Sequence, residues 1–307
     1  MFVEVLAAIL AAAQILPITI PFGKPRQTEQ ARAPITVWGP RWARACEGKD
    51  MEWDAPAPPV RVHGNTYMVG TCGISALLIS GEEGHILVDG GTERSADAVA
   101  ANIARLGFDI RQVRYILTSH EHHDHLGALA KLRQLSGAQI VTSAAAAHVI
   151  ATGKPNEDDP QFATFTSFPT APVGRIVGNG DQVRLRDLMV EAIATPGHTS
   201  GAMSWRWMSC EGGVCRMIVY ADSLTPVSSD KYRFSDHPEL VARFRESIAR
   251  SAASPCDILL TPHPMASKMR ERFAQGKMLL DMDGCTAFAA QKSEALDARL
   301  AKEAAAK

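Results

Sequence analysis

From about residue 59 the apolar residues fall into short runs that predict strand after strand. Val60 to Val69, Ile74 to Ile79 and His85 to Asp89 are brief and rich in β-branched residues, with Gly70, Gly81 and the pair Gly90-Gly91 between and after them. From Ser95 to Leu106 the spacing becomes helical, with Ala96, Val99, Ile103 and Leu106 recurring on one face. Val113 to Thr118 reads as an apolar strand, Leu126 to Leu135 as a helix and Gln139 to Thr142 as a strand. A polar loop covers Gly153 to Phe162. Strands return around 174–195, 201–209 and 215–221, followed by a helix from His237 to Ala252 and a strand from Asp257 to Leu260. The stretch from Cys285 to Lys307, rich in Ala, Glu, Lys and Leu, predicts a solvated terminal helix whose apolar residues are Phe288, Leu296 and Leu300.

The order is therefore β-rich, βαβ, β-rich, αβα. Two such halves predict an α/β fold in which two sheets pack together with helices outside, a four-layer αβ/βα sandwich. No composition shift marks a linker and no short-period repeat is visible, so residues 34–307 read as a single domain. Residues 1–33 read as a signal peptide or N-terminal extension. The apolar run from Val5 to about Phe22 fits a secretory h-region, although Glu4 stands where a cation is expected and the first cation is Lys24. Gln14, Pro17 and Thr19 interrupt that run, leaving it short of the ~20 residues a spanning helix needs.

Composition narrows the function only by exclusion. Of the 307 residues, 46% are AVILMFWYC and 21% are DEKR, which excludes wholesale disorder and a fibrous repeat. Lys plus Arg is 32 and Asp plus Glu is 33, so the basic excess of a nucleic-acid binder is missing. The six cysteines, Cys46, Cys72, Cys210, Cys215, Cys256 and Cys285, suit disulfides and an oxidising compartment. Six allow fifteen connectivities, and buried free thiols are the alternative. Cys210 and Cys215 flank a turn between two strand-like runs, which makes a local bridge easy. No CxxC pair exists, so a cysteine-rich zinc ribbon is excluded.

The chemistry is concentrated after the strand Val113 to Thr118, in Ser119-His120-Glu121-His122-His123-Asp124-His125-Leu126-Gly127. Four of the chain's ten histidines and two carboxylates share six consecutive positions, a crowding that a bound cation would relieve. His120 and His122, two apart on an extended loop, can converge on one ion, while Asp124 and His125 can face a second. Nitrogen and carboxylate ligands without thiolate suit Zn²⁺, and iron or manganese would accept a similar set. His198, in Thr195-Pro196-Gly197-His198-Thr199, and His263, in Thr261-Pro262-His263-Pro264, also stand at strand ends on stiff turns. Ligands collect at such ends in α/β sheets. His63, His85, His148 and His237 lack that setting and read as surface or packed residues.

A strand ending in His-x-His-x-Asp-His, then Pro-Gly-His-Thr, then a late Pro-His, resembles the metallo-β-lactamase superfamily over roughly residues 58–290. Gly70-Thr71-Cys72-Gly73-Ile74-Ser75, Leu87-Val88-Asp89-Gly90-Gly91 and Tyr220-Ala221-Asp222-Ser223-Leu224-Thr225, with the cysteine set, resemble subclass B3 members that carry three disulfides. The resemblance implies pairs Cys46–Cys72, Cys210–Cys215 and Cys256–Cys285. It implies two Zn²⁺, one on His120, His122 and His198 and the other on Asp124, His125 and His263, with Glu121 and His123 as non-ligands.

The implied reaction is hydrolysis of the β-lactam amide of penicillins, cephalosporins and carbapenems by a hydroxide held between the metals and oriented by Asp124. Ser223 and Thr225 would anchor the substrate carboxylate, and Gln161 would border the cleft. The expected partner is a small-molecule β-lactam, with no nucleic acid and no stable membrane partner, and the protein is expected as a periplasmic or secreted monomer. Another hydrolase on the same scaffold, a glyoxalase II-like thioesterase or a lactonase, remains the alternative. In many superfamily members an aspartate near Asp222 bridges the metals, so the place of that side chain separates the readings.

Overall fold

The computed structural model describes residues 39–276 and 279–306. Seven strands form the first sheet in sequential order: β1 (Val60–His63), β2 (Thr66–Met68), β3 (Leu77–Gly81), β4 (Gly84–Val88), β5 (Val113–Leu117), β6 (Gln139–Thr142) and β7 (Val173–Ile176). The second sheet holds β8 (Gln182–Leu185), β9 (Leu188–Ala194), β10 (Met203–Glu211), β11 (Val214–Tyr220) and β12 (Ile258–Leu260), in the order β12-β11-β10-β9-β8. The helices are α1 (Gly39–Ala45), α2 (Ala96–Arg105), α3 (His123–Leu126), α4 (Leu129–Ser136), α5 (Ala144–Thr152), α6 (Pro238–Ala252), α7 (Met269–Ala274) and α8 (Gly284–Ala305).

Connection length decides pairing direction. Turns or loops without a helix join successive strands from β1 to β4 and from β8 to β11, and these neighbours run antiparallel. Helical crossovers precede β5, β6, β7 and β12, and each of these strands runs parallel to its predecessor.

Side-chain alternation along each strand then builds three apolar layers. Leu77, Ile79, Ile86, Val88, Leu117 and Val141 of the first sheet share a cluster with Val190, Trp205, Trp207, Ile218, Tyr220 and Leu260 of the second. The intervening Leu78, Leu87, Ile116 and Ile140 pack with Val99, Ile103, Leu129, Leu132, Val149 and Ile150 of α2, α4 and α5. On the far side Val219 and Leu259 pack with Leu240, Phe244 and Ile248 of α6 and with Phe288 and Leu296 of α8. Strands buried on both faces read as continuous apolar runs, which is why the sequence showed them without a clean period of two. The layers are helix, sheet, sheet, helix, as expected.

Several element boundaries differ from expectation. Val60 to Val69 is a hairpin rather than one strand, turning at Gly64, whose φ is +49°. A Cβ at Gly64 would lie 2.6 Å from the Cys210 carbonyl oxygen, so both the turn and its contact with β10 require glycine. The stretch 174–195 is three strands, with left-handed residues at Gly180 and Arg186 in the turns. The expected helix from Leu126 to Leu135 is two, α3 and α4. Helices α1, α5 and α7 are additional. For α5 the signals were present in the sequence: the Ser143 side chain accepts from Ala146 N, and Gly153 ends the helix at φ +68°.

All six cysteines are bridged, as Cys46–Cys72, Cys210–Cys215 and Cys256–Cys285. Among the described residues no helix is long and apolar enough to cross a membrane. The expected leader, residues 1–33, lies outside the described residues.

Candidate metal centre

Every candidate ligand stands just beyond the C-terminal end of a strand: His120 and His122 in the loop after β5, Asp124 and His125 in the short helix α3 that follows that loop, His198 after β9 and His263 after β12. Buried polar contacts fix the first of these loops. Asp89, ending β4, accepts from Ser119 N and Ser119 Oγ, each at 2.7 Å, and from Tyr220 Oη at 2.7 Å. Burial pushes its carboxyl up to about 6, against the pull of His125 and these donors. Trp205 Nε1 donates to the Thr118 carbonyl at 2.9 Å and ties the same loop to the second sheet. Glu121 is buried between the loops, accepting from Thr199 Oγ1 at 2.6 Å and from Gly201 N at 2.8 Å. It braces the His120 loop against the His198 turn. Glu121, expected as a non-ligand, has both carboxylate oxygens engaged by these donors.

His120, His122 and His198 each bring one nitrogen into a single cluster, with ligand atoms within 4.8 Å of one another. Each ring has its other nitrogen engaged. His120 Nδ1 lies 2.8 Å from Asp222 Oδ1, His198 Nδ1 lies 2.8 Å from the Thr225 carbonyl, and His122 Nε2 lies 3.2 Å from Asp159 Oδ2. Donation outward leaves Nε2, Nε2 and Nδ1 as the lone pairs facing inward, the arrangement by which outer acceptors orient imidazole ligands. Burial, aided by the neighbouring imidazoles, holds His120 and His198 well below the usual imidazole range, so both are neutral and able to ligate.

The second cluster forms around one oxygen. Asp124 Oδ2 is 3.0 Å from His125 Nε2 and 3.3 Å from His263 Nε2. His125 is fully buried, yet its Nε2 is not aligned for a hydrogen bond with that carboxylate, and both ring nitrogens lack hydrogen-bond partners among the described residues. Buried polar atoms are normally satisfied, so this vacancy in the bonding fits a cation. Burial alone would raise Asp124, but the His125 and His263 imidazoles hold it well below the usual carboxylate range. His125 is raised because Asp124 outweighs its burial.

The remaining candidates belong to neither cluster. Gln161 Nε2 lies 3.4 Å from His122 Nδ1. Ser223 is buried and its Oγ has no hydrogen-bond partner, while Thr225 Oγ1 donates to the Ser223 carbonyl at 2.9 Å. Their relation comes from a turn, with Leu224 at φ +44°, rather than from an extended segment. Asp222 is in neither cluster of converging ligand atoms and sits behind His120. His63 and His85 are packed in the interior, and His148 and His237 are exposed. Sequence reasoning missed Asp159 and Lys292. Asp159 stands in the polar loop, two residues before Gln161. The Lys292 ammonium donates to Thr225 Oγ1 at 3.0 Å from a helix that reads as solvated.

Buried imidazoles and a carboxylate that converge at strand ends form a candidate metal site. The description of the metallo-β-lactamase superfamily matches residues 69–215. Among solved structures, the metallo-β-lactamase MIM-2 is 50% identical, with a TM-score of 0.83 over 87% of this chain and 98% of its own. MIM-1 from Novosphingobium pentaromativorans is 46% identical, with a TM-score of 0.84 over 86% of this chain and 98% of its own. MEM-A1, a subclass B3 metallo-β-lactamase from a soil metagenome library, is 39% identical, with a TM-score of 0.80 over 83% and 100%.

Curated relatives are more distant. A "Probable metallo-hydrolase" of Burkholderia pseudomallei is 33% identical over 44% of this chain and 48% of its own length. A hydroxyacylglutathione hydrolase of Pseudomonas paraeruginosa is 25% identical over 56% and 60%. The chain spans about half the length of these curated relatives. The chain belongs to the metallo-β-lactamase superfamily, and within it resembles the subclass B3 enzymes.

Proposed function

We propose that this enzyme hydrolyses the amide bond of β-lactam antibiotics, using two Zn²⁺, after export to the periplasm or beyond. The observation that carries the reading is the pair of adjoining clusters: His120, His122 and His198 would hold one ion, and Asp124, His125 and His263 the other. Three protein ligands per ion leave positions for water and substrate, as catalytic rather than structural sites require. Bound there, the ions would bring a water's pKa to near neutrality and polarise the carbonyl under attack. The three disulfides and the solved relatives, all titled metallo-β-lactamases, support an exported enzyme of this kind.

The chain's own groups divide the remaining work. Asp124 offers its second carboxylate oxygen to orient the attacking water. Ser223, with an unused buried hydroxyl, and Thr225 would receive the substrate carboxylate. Gln161, beside His122, would touch the substrate at the opening. Asp222 supports the lactamase over the bridged-aspartate thioesterase, because its Oδ1 engages the outer nitrogen of His120. The two are separated by assaying zinc-loaded protein with a chromogenic cephalosporin and with a hydroxyacylglutathione thioester. Rapid turnover of the first alone is expected, and rapid turnover of the thioester alone would replace the reading.

A further inference from the structure

Lys292 is a lysine on the buried face of α8, only 7% exposed. Its ammonium has three N–H groups to satisfy. One is used on Thr225 Oγ1 at 3.0 Å, and the charge stands 4.7 Å from the centroid of the Phe288 ring. Among the described residues no carboxylate lies within 4.0 Å of its nitrogen, unlike Arg299 or Arg206, which are paired. A buried cation without a counter-charge is costly unless something supplies one. Two residues before Thr225, the Ser223 hydroxyl is also buried and without a partner among the described residues. A cation with no carboxylate partner and an unpartnered hydroxyl are thus both tied to Thr225, one through its Oγ1 and the other through the residue whose carbonyl Thr225 holds.

We infer that Lys292 is the positioning residue of an anion subsite, and that it makes the Ser223–Thr225 turn selective for a carboxylate on the substrate. The inference rests on the proposed carboxylate-binding role of that pair and deepens it. A hydroxyl oxygen that accepts from an ammonium has its proton left to offer, so Lys292 sets Thr225 as a donor. In the present arrangement that proton goes to the Ser223 carbonyl at 2.9 Å, and a carboxylate entering the turn would compete for it. The Thr225 carbonyl holds His198 Nδ1 at 2.8 Å, so the same residue links the anion subsite to the first metal cluster. Burial lowers Lys292 to about 8, with Asp222 pulling the other way, which leaves the side chain mostly charged at neutral pH.

The test compares a chromogenic cephalosporin bearing its free carboxylate with the methyl ester of the same compound, on zinc-loaded protein. In Lys292→Met the ratio of kcat/KM for acid over ester should fall roughly 10- to 100-fold, the loss of a charge-assisted contact, and most of the change should lie in KM. Lys292→Arg should recover part of that ratio, and both variants should retain the zinc content of the parent. A structural role alone would lower both substrates equally and leave the ratio unmoved, which would overturn the inference. If the parent turns over neither compound, the β-lactamase reading fails on its own, and the same pair is titrated as ligands by calorimetry. Preferential binding of the acid, lost in Lys292→Met, would uphold the subsite. Equal binding of acid and ester by the parent would overturn it.

Discussion

Asp222 Oδ1 lies 2.8 Å from His120 Nδ1, with both side chains buried. The carboxylate therefore acts on the outer edge of the imidazole: it fixes the tautomer and aims Nε2 inward. Two readings of the sequence Ala221-Asp222-Ser223 differed on this point, one giving Asp222 to the turn and one to a metal bridge. The geometry gives it to His120, with Asp222 N also donating to Ser204 Oγ at 2.9 Å.

Asp222→Ala should accordingly weaken the first site without removing it. Loss of such an outer acceptor typically costs about 10–100-fold in metal affinity. At saturating zinc the stoichiometry should stay at that of the parent, and competition with a chromophoric chelator should reveal the weakened site. A bridging aspartate would instead make the variant lose zinc even at saturation.

On the proposed assignment His198 serves the first site and His263, 3.3 Å from Asp124 Oδ2, the second, so their alanine variants should fail differently. His198→Ala should deplete the first site, whereas His263→Ala should deplete the second and leave the first largely filled. Metal content by mass spectrometry checks both. A His263→Ala protein with the same zinc content as the parent would defeat the assignment of His263 to the second site.

The three disulfides differ in the loops they close, with sequence separations of 26, 5 and 29 residues. Chain entropy gives roughly 3–4 kcal/mol for the long loops and about 2 for the short one. Cys210 and Cys215 are also direct cross-strand partners in β10 and β11, whose ladder already fixes their approach. Urea unfolding of the paired Cys→Ala variants should rank Cys210/Cys215 as the mildest. Thiol titration of denatured, exported protein should find no free thiol.

Glu303 predicts an acid-sensitive anchor at the end of α8. It accepts from Phe234 N at 3.0 Å, Ser235 N at 2.8 Å and Arg299 Nε at 2.6 Å. Burial opposes these contacts but does not prevail, and the carboxyl is lowered to about 2 from 4.5. A carboxylate held below its unfolded value contributes stability above pH 4.5, and that contribution is lost as pH falls toward 2. The parent should exceed Glu303→Gln by about 1–2 kcal/mol near pH 7, allowing for solvent at the helix end. The gap should shrink between pH 4.5 and 3.5 when both are unfolded in chelator, so that metal release adds nothing.

Much of this site could be read from residue order because its ligands are clustered or flanked by stiff residues. His120, His122, Asp124 and His125 fall within six consecutive positions, and Pro and Gly frame His198 while Pro flanks His263 on both sides. The groups that orient them carry no such mark. Asp159 and Asp222 are single carboxylates far along the chain from the rings they hold, separated from His122 and His120 by 37 and 102 residues. Lys292 was hidden for another reason. Its helix is charged enough to read as solvated, and only packing of α8 against α6 and the second sheet reveals which lysine turns inward. Helix α5 is bracketed by Ser143 and Gly153, but its run of alanines offers no apolar stripe to mark it in the sequence. The hairpin β1–β2 looks like one strand in the sequence because its turn, Gly64-Asn65, interrupts the apolar run only briefly.

If the two sites hold zinc, as proposed, and that zinc supports β-lactam hydrolysis, activity must follow metal content. Purified protein is assayed with a chromogenic cephalosporin before chelation, after exhaustive chelation, and after titration with Zn²⁺. Activity should vanish on chelation and return as zinc is added, reaching its maximum near two equivalents per chain. Turnover that survives complete removal of metal, or a zinc-replete protein that leaves the cephalosporin intact, would contradict the claim.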